Sequence, residues 1–326
     1  MREATTWMLP WILIGVISVA AVLIYVLFIR KAQEKSHIAK NIYLKSLDMT
    51  YTPPSQRVSL FSYDPVSSSN DLRRNVAEQK RHMEYLAGLE FYLEYQPQVT
   101  PHNQKFVGAE ALLRARNLNG EVVMPYVFLP WLEAAGMIRS LDLWVAAEVI
   151  KQDAIWQAAG VDVEIKMNVS SETLLDKQST HLLIDKIAEA GGRVSVEILE
   201  QDFSTALDDV VSAIKKIQAF GGKVYIDDFG TGYSSLSYLN SLKVDCIKID
   251  RSFVLALQTL EGEKVMAGIF NFAEALGLSL VIEGVETEAQ LNKLPKNIPF
   301  AVQGWLYSKA IPADEIPEFA KKFTGV

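Results

Sequence analysis

The sequence predicts an α/β fold: a closed, TIM-like (β/α)8 barrel preceded by one N-terminal transmembrane helix. Three observations carry this expectation. From about residue 91 onward, short β-type runs alternate with amphipathic helical stretches, the signature of parallel βαβ units. Eight such runs fit within about 235 residues, close to the ~250 typical of a (β/α)8 barrel. Finally, Trp7 to Ile29 is an uncharged, almost wholly apolar stretch of 23 residues, and about 20 suffice to cross a bilayer as a helix.

The span at 7–29 reads as an anchor. Its proline, Pro10, lies in the first turn or so, where a helix tolerates one. A cleaved signal peptide has an apolar core of only ~7–15 residues with its basic flank in front. Here Arg30, Lys31, Lys35, Lys40 and Lys45 follow the span, against Arg2 before it. The positive-inside rule therefore puts residues 1–6 outside as a short tail and the C-terminal bulk in the cytoplasm. Residues 30–87 read as a linker and lead-in helix. The stretch "YTPPSQRVSLFSYDPVSSSN" (51–70) has three prolines and a serine cluster without period, and "DLRRNVAEQKRHMEYLAGLE" (71–90) has helical propensity and alternating charge.

The remaining residues, 88–326, form the globular domain. The strand-like runs are "FYLEYQPQV", "FVGAEALLRA", "VEIKMNVS", "RVSVEILE", "KVYIDDF", "DCIKID", "LSLVIEGVE" and "PFAVQGW". Helical spacing marks "VFLPWLEAAGMI", "THLLIDKIAEAG", "LDDVVSAIKKIQAFGG", "GEKVMAGIFNFAEALG" and "TEAQLNKL". Gly191, Gly221 and Gly277 stand where left-handed C-caps belong. The first two runs are joined by the short polar loop "TPHNQK", too short for a parallel crossover, so the barrel begins with an antiparallel pair. An open doubly wound sheet is the alternative, but no glycine-rich phosphate-binding turn follows the first strand.

Composition excludes several function classes. A formal charge of −7 argues against a nucleic-acid surface, which is normally basic; no DNA binding is expected. The one cysteine, Cys246 in "VDCIKID", permits neither an internal disulfide nor a thiolate metal cluster. The histidines, His37, His82, His102 and His181, follow no zinc-ligand spacing.

Chemistry gathers instead at the C-terminal strand ends, where barrels of this kind carry their active sites. Those ends present Glu110, Asn168, Glu197 with Glu200, Asp227 with Asp228, Lys248 with Asp250, Glu283 with Glu286, and Gln303. Singly, such acids are often helix caps. Together, seven of the eight strand ends deliver a carboxylate, carboxamide or ammonium group to one rim. Hard oxygen ligands without thiolate or imidazole suit Mg2+ or Mn2+. Asp227 and Asp228 are adjacent, so their side chains diverge; one can bridge two ions while the other reaches only the second. Two metals ~3.5–4 Å apart form the clamp used for displacement at phosphorus. A barrel glycosidase with two carboxylates is a rival, but it has no use for Asn168, Lys248 and the Asp pair together.

In order, "EALLR", "NVS", "DDFGTGYSSLSYL", "IKID", "EGVET" and "QGW" resemble the EAL family of cyclic-di-GMP phosphodiesterases across roughly residues 88–320. "YQPQV" and the positions Pro125, Phe128, Gly136, Met137 and Ile138 also look like that family's opening segment. The resemblance implies hydrolysis of cyclic di-GMP to linear pGpG with two divalent cations, Mg2+ or Mn2+. It implies Glu110, Asn168, Glu197 and Asp227 around the first metal and Asp227, Asp228 and Glu283 around the second. Lys248 would contact the attacking water, Arg114 a substrate phosphate, and Gln303 the water or substrate. Glu286 would hold the DDFGTG loop and Asp250 would support the ligands from behind. The segment after Gly232 would form a homodimer interface. Leu199 replaces a threonine common in the family, at a position that is not a ligand. Members that have lost ligands act as cyclic-di-GMP receptors; here every liganding position is filled. The expected location is the bacterial inner membrane, single-pass, with the catalytic domain in the cytoplasm.

Overall fold

The structure is a computed structural model and describes residues 81, 83–200, 207–230 and 242–323. The predicted span 7–29, most of the linker and lead-in helix, and residues 233–239 of the predicted dimer segment lie outside the described residues. Among the described residues, no helix is long and apolar enough to cross a membrane.

Eight strands close into a barrel: β1 (Glu90–Thr100), β2 (Lys105–Arg116), β4 (Glu164–Asn168), β5 (Val194–Leu199), β6 (Val224–Phe229), β7 (Cys246–Ile249), β8 (Ser279–Glu283) and β9 (Ala301–Gln303). Neighbours from β2 through β9 run parallel. The closing strand, β1, is antiparallel to both β2 and β9, as the short "TPHNQK" loop requires. Two-residue strands extend the edges: β3 (Val122–Val123) on β2 and β10 (Ile311–Pro312) on β1. All eight predicted runs lie on barrel strands.

The helices are α1 (Pro125–Ala134), α2 (Ile138–Ala158), α3 (Ser171–Leu175), α4 (Lys177–Glu189), α5 (Leu207–Ala219), α6 (Arg251–Ala256), α7 (Leu260–Leu276), α8 (Glu288–Lys293) and α9 (Ile316–Lys321). Local chemistry sets their starts. Ser170, Asp176, Asp250 and Thr259 each accept a hydrogen bond from a first-turn amide, satisfying donors that have no partner within the helix. Thr287 and Gln290 form a reciprocal capping box on α8. Gly277 ends α7 with φ of 67°.

The pleat then sorts the side chains. Successive strand residues face opposite sides, so Ile165, Met167, Val194, Val196, Ile198, Val224, Ile226, Ile247, Ile249, Leu280, Ile282 and Val302 form a buried apolar layer against the helices. The alternate residues fill the barrel, and many are polar: Lys166, Ser195, Glu197, Asp227, Lys248 and Gln303 are all buried. Below the rim, Tyr225, Cys246 and Val281 form a separate small apolar cluster with Ala301 packed against it. Deeper still, Glu164 accepts from Tyr225 Oη at 3.0 Å, Lys223 Nζ at 3.0 Å and Ser195 Oγ at 2.5 Å. A small apolar cluster thus lies between a polar rim and a polar floor, with the buried Lys166 ammonium beside it, 5.5 Å from the Tyr225 ring centroid.

Candidate active site

Lys248, on β7, stands at the centre of the rim with no solvent exposure. Its Nζ lies 2.6 Å from Glu197 Oε2, 2.8 Å from Glu283 Oε1, 2.9 Å from Asp227 Oδ1 and 3.1 Å from Glu110 Oε2. An unpaired buried ammonium would give up its proton. Here burial pulls the Lys248 pKa down, but Glu110, Glu197, Glu283 and Asp227 outweigh it and hold the pKa well above the ordinary lysine value. Lys248 is a fixed cation.

One ammonium does not balance so many acids. Burial pushes Glu110 up, yet Lys248 and hydrogen bonds from Gln303 and Asn168 bring it below the ordinary carboxylate value. Glu197 goes the other way, well above it, through burial and the neighbouring Glu110 charge. Glu283 is pushed up to about 7, first by burial. Asp228 is raised by burial and by Asp227. Such a cluster holds further positive charge favourably.

The oxygen atoms fall into two groups that share one residue. Ligand atoms of Glu110, Glu197 and Asp227 lie within 4.8 Å of one another, and so do those of Asp227, Asp228 and Glu283. A bulge in β6 makes this possible, because the β6–β7 register shifts between Ile226 and Phe229. Asp228 has φ of 53°, a left-handed conformation uncommon for a residue with a Cβ. The bulge turns Asp228 toward Glu283 while Asp227 keeps its inward place. The opposite oxygen of Glu197, Oε1, is buried without a hydrogen-bond partner. Buried polar atoms are nearly always partnered, and a partnerless oxygen on a carboxylate of this acid cluster fits a divalent cation.

Carboxamides complete the rim. Asn168 Nδ2 donates to Glu110 Oε1 at 2.8 Å, and Gln303 Nε2 donates to Glu110 Oε2 at 2.5 Å. Gln303 is held in turn by Gln98, whose Nε2 donates to its Oε1 at 2.6 Å. Gln98 is fully buried, and no role was expected of it from sequence. Its signal was the alternation in "YQPQV", which puts Gln96 and Gln98 on the same face of β1.

The other expected residues lie around this centre. Arg114 reaches Glu94 at 2.9 Å. Glu286 pairs with Arg251 at 2.7 Å, while Glu200 Oε2 accepts from Gly230 N at 2.6 Å and so anchors the start of the turn after β6. Asp250 caps α6, accepting from Ser252 N at 2.9 Å; its charge also contributes to raising Asp228. Two cavities border the acids. One, of about 470 Å3, is lined by Arg114, Asn168 and Glu197 with apolar residues of α1 and α2. The other, of about 330 Å3, is lined by Asp227, Lys248, Glu283, Arg251, Gln303 and Trp305. Arg251 and Trp305 were not foreseen.

The sequence profile described as "EAL domain" matches residues 78–310. The chain belongs to the EAL domain family. Among curated relatives, the Escherichia coli K12 protein named "Probable cyclic di-GMP phosphodiesterase PdeB" is 35% identical over 256 residues, covering 77% of this chain and 48% of the relative. The Pseudomonas aeruginosa protein named "Bifunctional diguanylate cyclase/cyclic di-GMP phosphodiesterase MucR" is 36% identical, with coverages of 69% and 33%. The chain thus spans about half the length, or less, of the curated relatives it matches. Among solved structures, the PaMucR phosphodiesterase in complex with c-di-GMP superposes with a TM-score of 0.66 at 29% identity, covering 74% of this chain and 99% of that one. An EAL domain protein from Listeria monocytogenes EGD-e gives 0.65 at 28% identity, covering 79% and 100%. These EAL domains share the barrel just described.

Proposed function

We propose that this EAL domain is a metal-dependent phosphodiesterase that hydrolyses cyclic di-GMP to linear pGpG, lowering the level of the messenger. The observation that carries the reading is the pair of carboxylate groups sharing Asp227, with a partnerless buried oxygen on Glu197. The names of the relatives support the choice of substrate. Glu110, Asn168, Glu197 and Asp227 would hold one cation, and Asp227, Asp228 and Glu283 the other. Divalent ions such as Mg2+ or Mn2+ bound there lower the pKa of water and neutralise charge on phosphoryl oxygens.

The chain's own residues do the rest. Lys248, fixed as an ammonium, donates toward the attacking water and favours its deprotonated form electrostatically. The Gln303 amide, steadied by Gln98, orients water or substrate. Arg114 offers a planar guanidinium to a substrate phosphate, exchanging its Glu94 contact for it. Water adds to one phosphorus, the bond to the 3′ oxygen breaks, and that oxygen leaves with a proton.

Residues 7–29 anchor this activity to the bacterial inner membrane with the domain in the cytoplasm. The apolar length and the basic flank of that segment support this arrangement. The segment after Gly232 mediates a homodimer.

The test is to incubate the full-length chain, in membranes or detergent, with cyclic di-GMP and Mg2+ or Mn2+ and to separate the products. Appearance of pGpG that disappears in Asp227→Asn supports the reading. Tight binding without turnover by folded protein would make the domain a receptor instead.

A further inference from the structure

Trp305 is 58% exposed, yet it stands at the mouth of the cavity that contains Asp227, Lys248 and Glu283. A large aromatic left in solvent beside a reactive centre is informative in a way that scattered exposed aliphatics are not. Its position is rigidly set. The turn after β9 is fixed by Leu306 N donating to Val285 O at 3.1 Å and by Tyr307 N and Ser308 N donating to Gly304 O, each at 3.1 Å. Gly304 packs so closely that a Cβ there would lie 2.1 Å from Val285 O. Lys309 Nζ lies over the indole, 4.3 Å from the ring centroid, and covers one face. On the same cavity wall, the Arg251 side chain crosses Gly284 so tightly that a Cβ at 284 would meet its Cγ at 2.3 Å. The mouth therefore combines an aromatic plate, backed by Lys309, with the Arg251–Glu286 pair above an acidic floor.

That combination matches a nucleotide. The acids suit a metal-bound phosphate and a flat indole face suits a base, while Arg251 is held on the same wall by Glu286 at 2.7 Å. We propose that Trp305 is the stacking platform for a purine base of the bound cyclic dinucleotide, with Lys309 backing the ring and Arg251 facing the same cavity. This rests on the phosphodiesterase reading and adds to it the residue that captures a base on the β8–β9 side. Trp305 touches none of the reacting atoms, so it acts on substrate capture rather than on the chemical step.

Steady-state hydrolysis of cyclic di-GMP by the full-length chain with Mn2+ separates the two. Trp305→Leu is expected to raise KM about tenfold, the lower part of what losing one base–aromatic stack costs, with kcat held within about threefold. Trp305→Phe, which retains a stacking face, keeps KM within about threefold of wild type. Thermal unfolding establishes that each variant is folded; if Trp305→Leu is not, Trp305→Gln takes its place at this exposed position. An unchanged KM in the folded Leu or Gln variant overturns the proposal, as does a Phe variant impaired as severely as Leu. If wild type neither binds nor hydrolyses cyclic di-GMP, the phosphodiesterase reading fails first and the platform falls with it.

Discussion

Lys248 Nζ and Glu197 Oε2 lie 2.6 Å apart in the middle of the barrel, both sealed from solvent. The lysine is the resident counter-ion of four carboxylates contributed by four different strands. Breaking a buried ion pair from one side costs about 3–5 kcal/mol, because the remaining charge stays buried and unpaired. Lys248→Met should lose about that much stability in urea unfolding with a chelator present, and Mn2+ should restore part of it. A loss below about 1 kcal/mol would mean that the acids are compensated by something other than this ammonium.

Metal binding should stabilise wild type, by about 2.7 kcal/mol at a concentration a hundred times Kd. Asp227 belongs to both oxygen groups and Asp228 to one. The expected order of Mn2+-induced thermal shifts is therefore wild type, then Asp228→Asn, then Asp227→Asn with little or none. Equal losses in the two variants would contradict a shared ligand.

Asp142, on α2, is buried and its Oδ2 accepts from Ser170 N, Ser170 Oγ and Thr173 Oγ1. Burial outweighs these bonds and raises its pKa. The folded state then holds the proton more tightly than the unfolded chain, so the stabilisation is complete below the unfolded value of about 4 and is lost as pH rises through the folded value. Asp142→Asn keeps an acceptor oxygen and removes the titration. Compared with this variant, wild type should lose stability as pH climbs from about 4 toward neutrality. Parallel stability–pH curves for the two proteins would refute the assignment.

Gly304 has no room for a side chain: a Cβ would lie 2.1 Å from one Val285 backbone atom and 2.6 Å from another. Gly304→Ala should cost about 1–3 kcal/mol, as overpacking does. It should also depress activity by displacing Gln303. Wild-type stability together with wild-type kcat in this variant would show that the turn is more yielding than its contacts imply.

The barrel was legible because strand-like runs alternate in order with amphipathic helices, and the polar residues toward the C-terminal ends of those strands coincide with the site. Asn168, Glu197, Asp227, Lys248, Glu283 and Gln303 could be picked out toward strand ends without coordinates, whereas Glu110 lies in the middle of β2, which runs on to Arg116 beside β1 and β3. Helix α2 was not legible. Its buried face includes Asp142 and Asp153, which interrupt the apolar stripe that marks an amphipathic helix. Only tertiary partners, Ser170 and Thr173 for one and Arg193 at 2.9 Å for the other, make those acids internal. Arg251 and Trp305 escaped for a different reason. They follow their strands by two residues, Arg251 as the first residue of α6 and Trp305 in the turn after β9, and only the closed barrel brings them to one cavity.

Strand β1 runs against its seven companions, with Glu90 opposite Arg116 at the rim and Thr100 opposite Lys105 at the floor. In an all-parallel barrel the chain would enter through the floor, away from the chemistry. Here the polypeptide is threaded in from the working end. The residues just before Glu90 therefore arrive at the rim, on the strand whose Gln98 donates to Gln303 Oε1 at 2.6 Å.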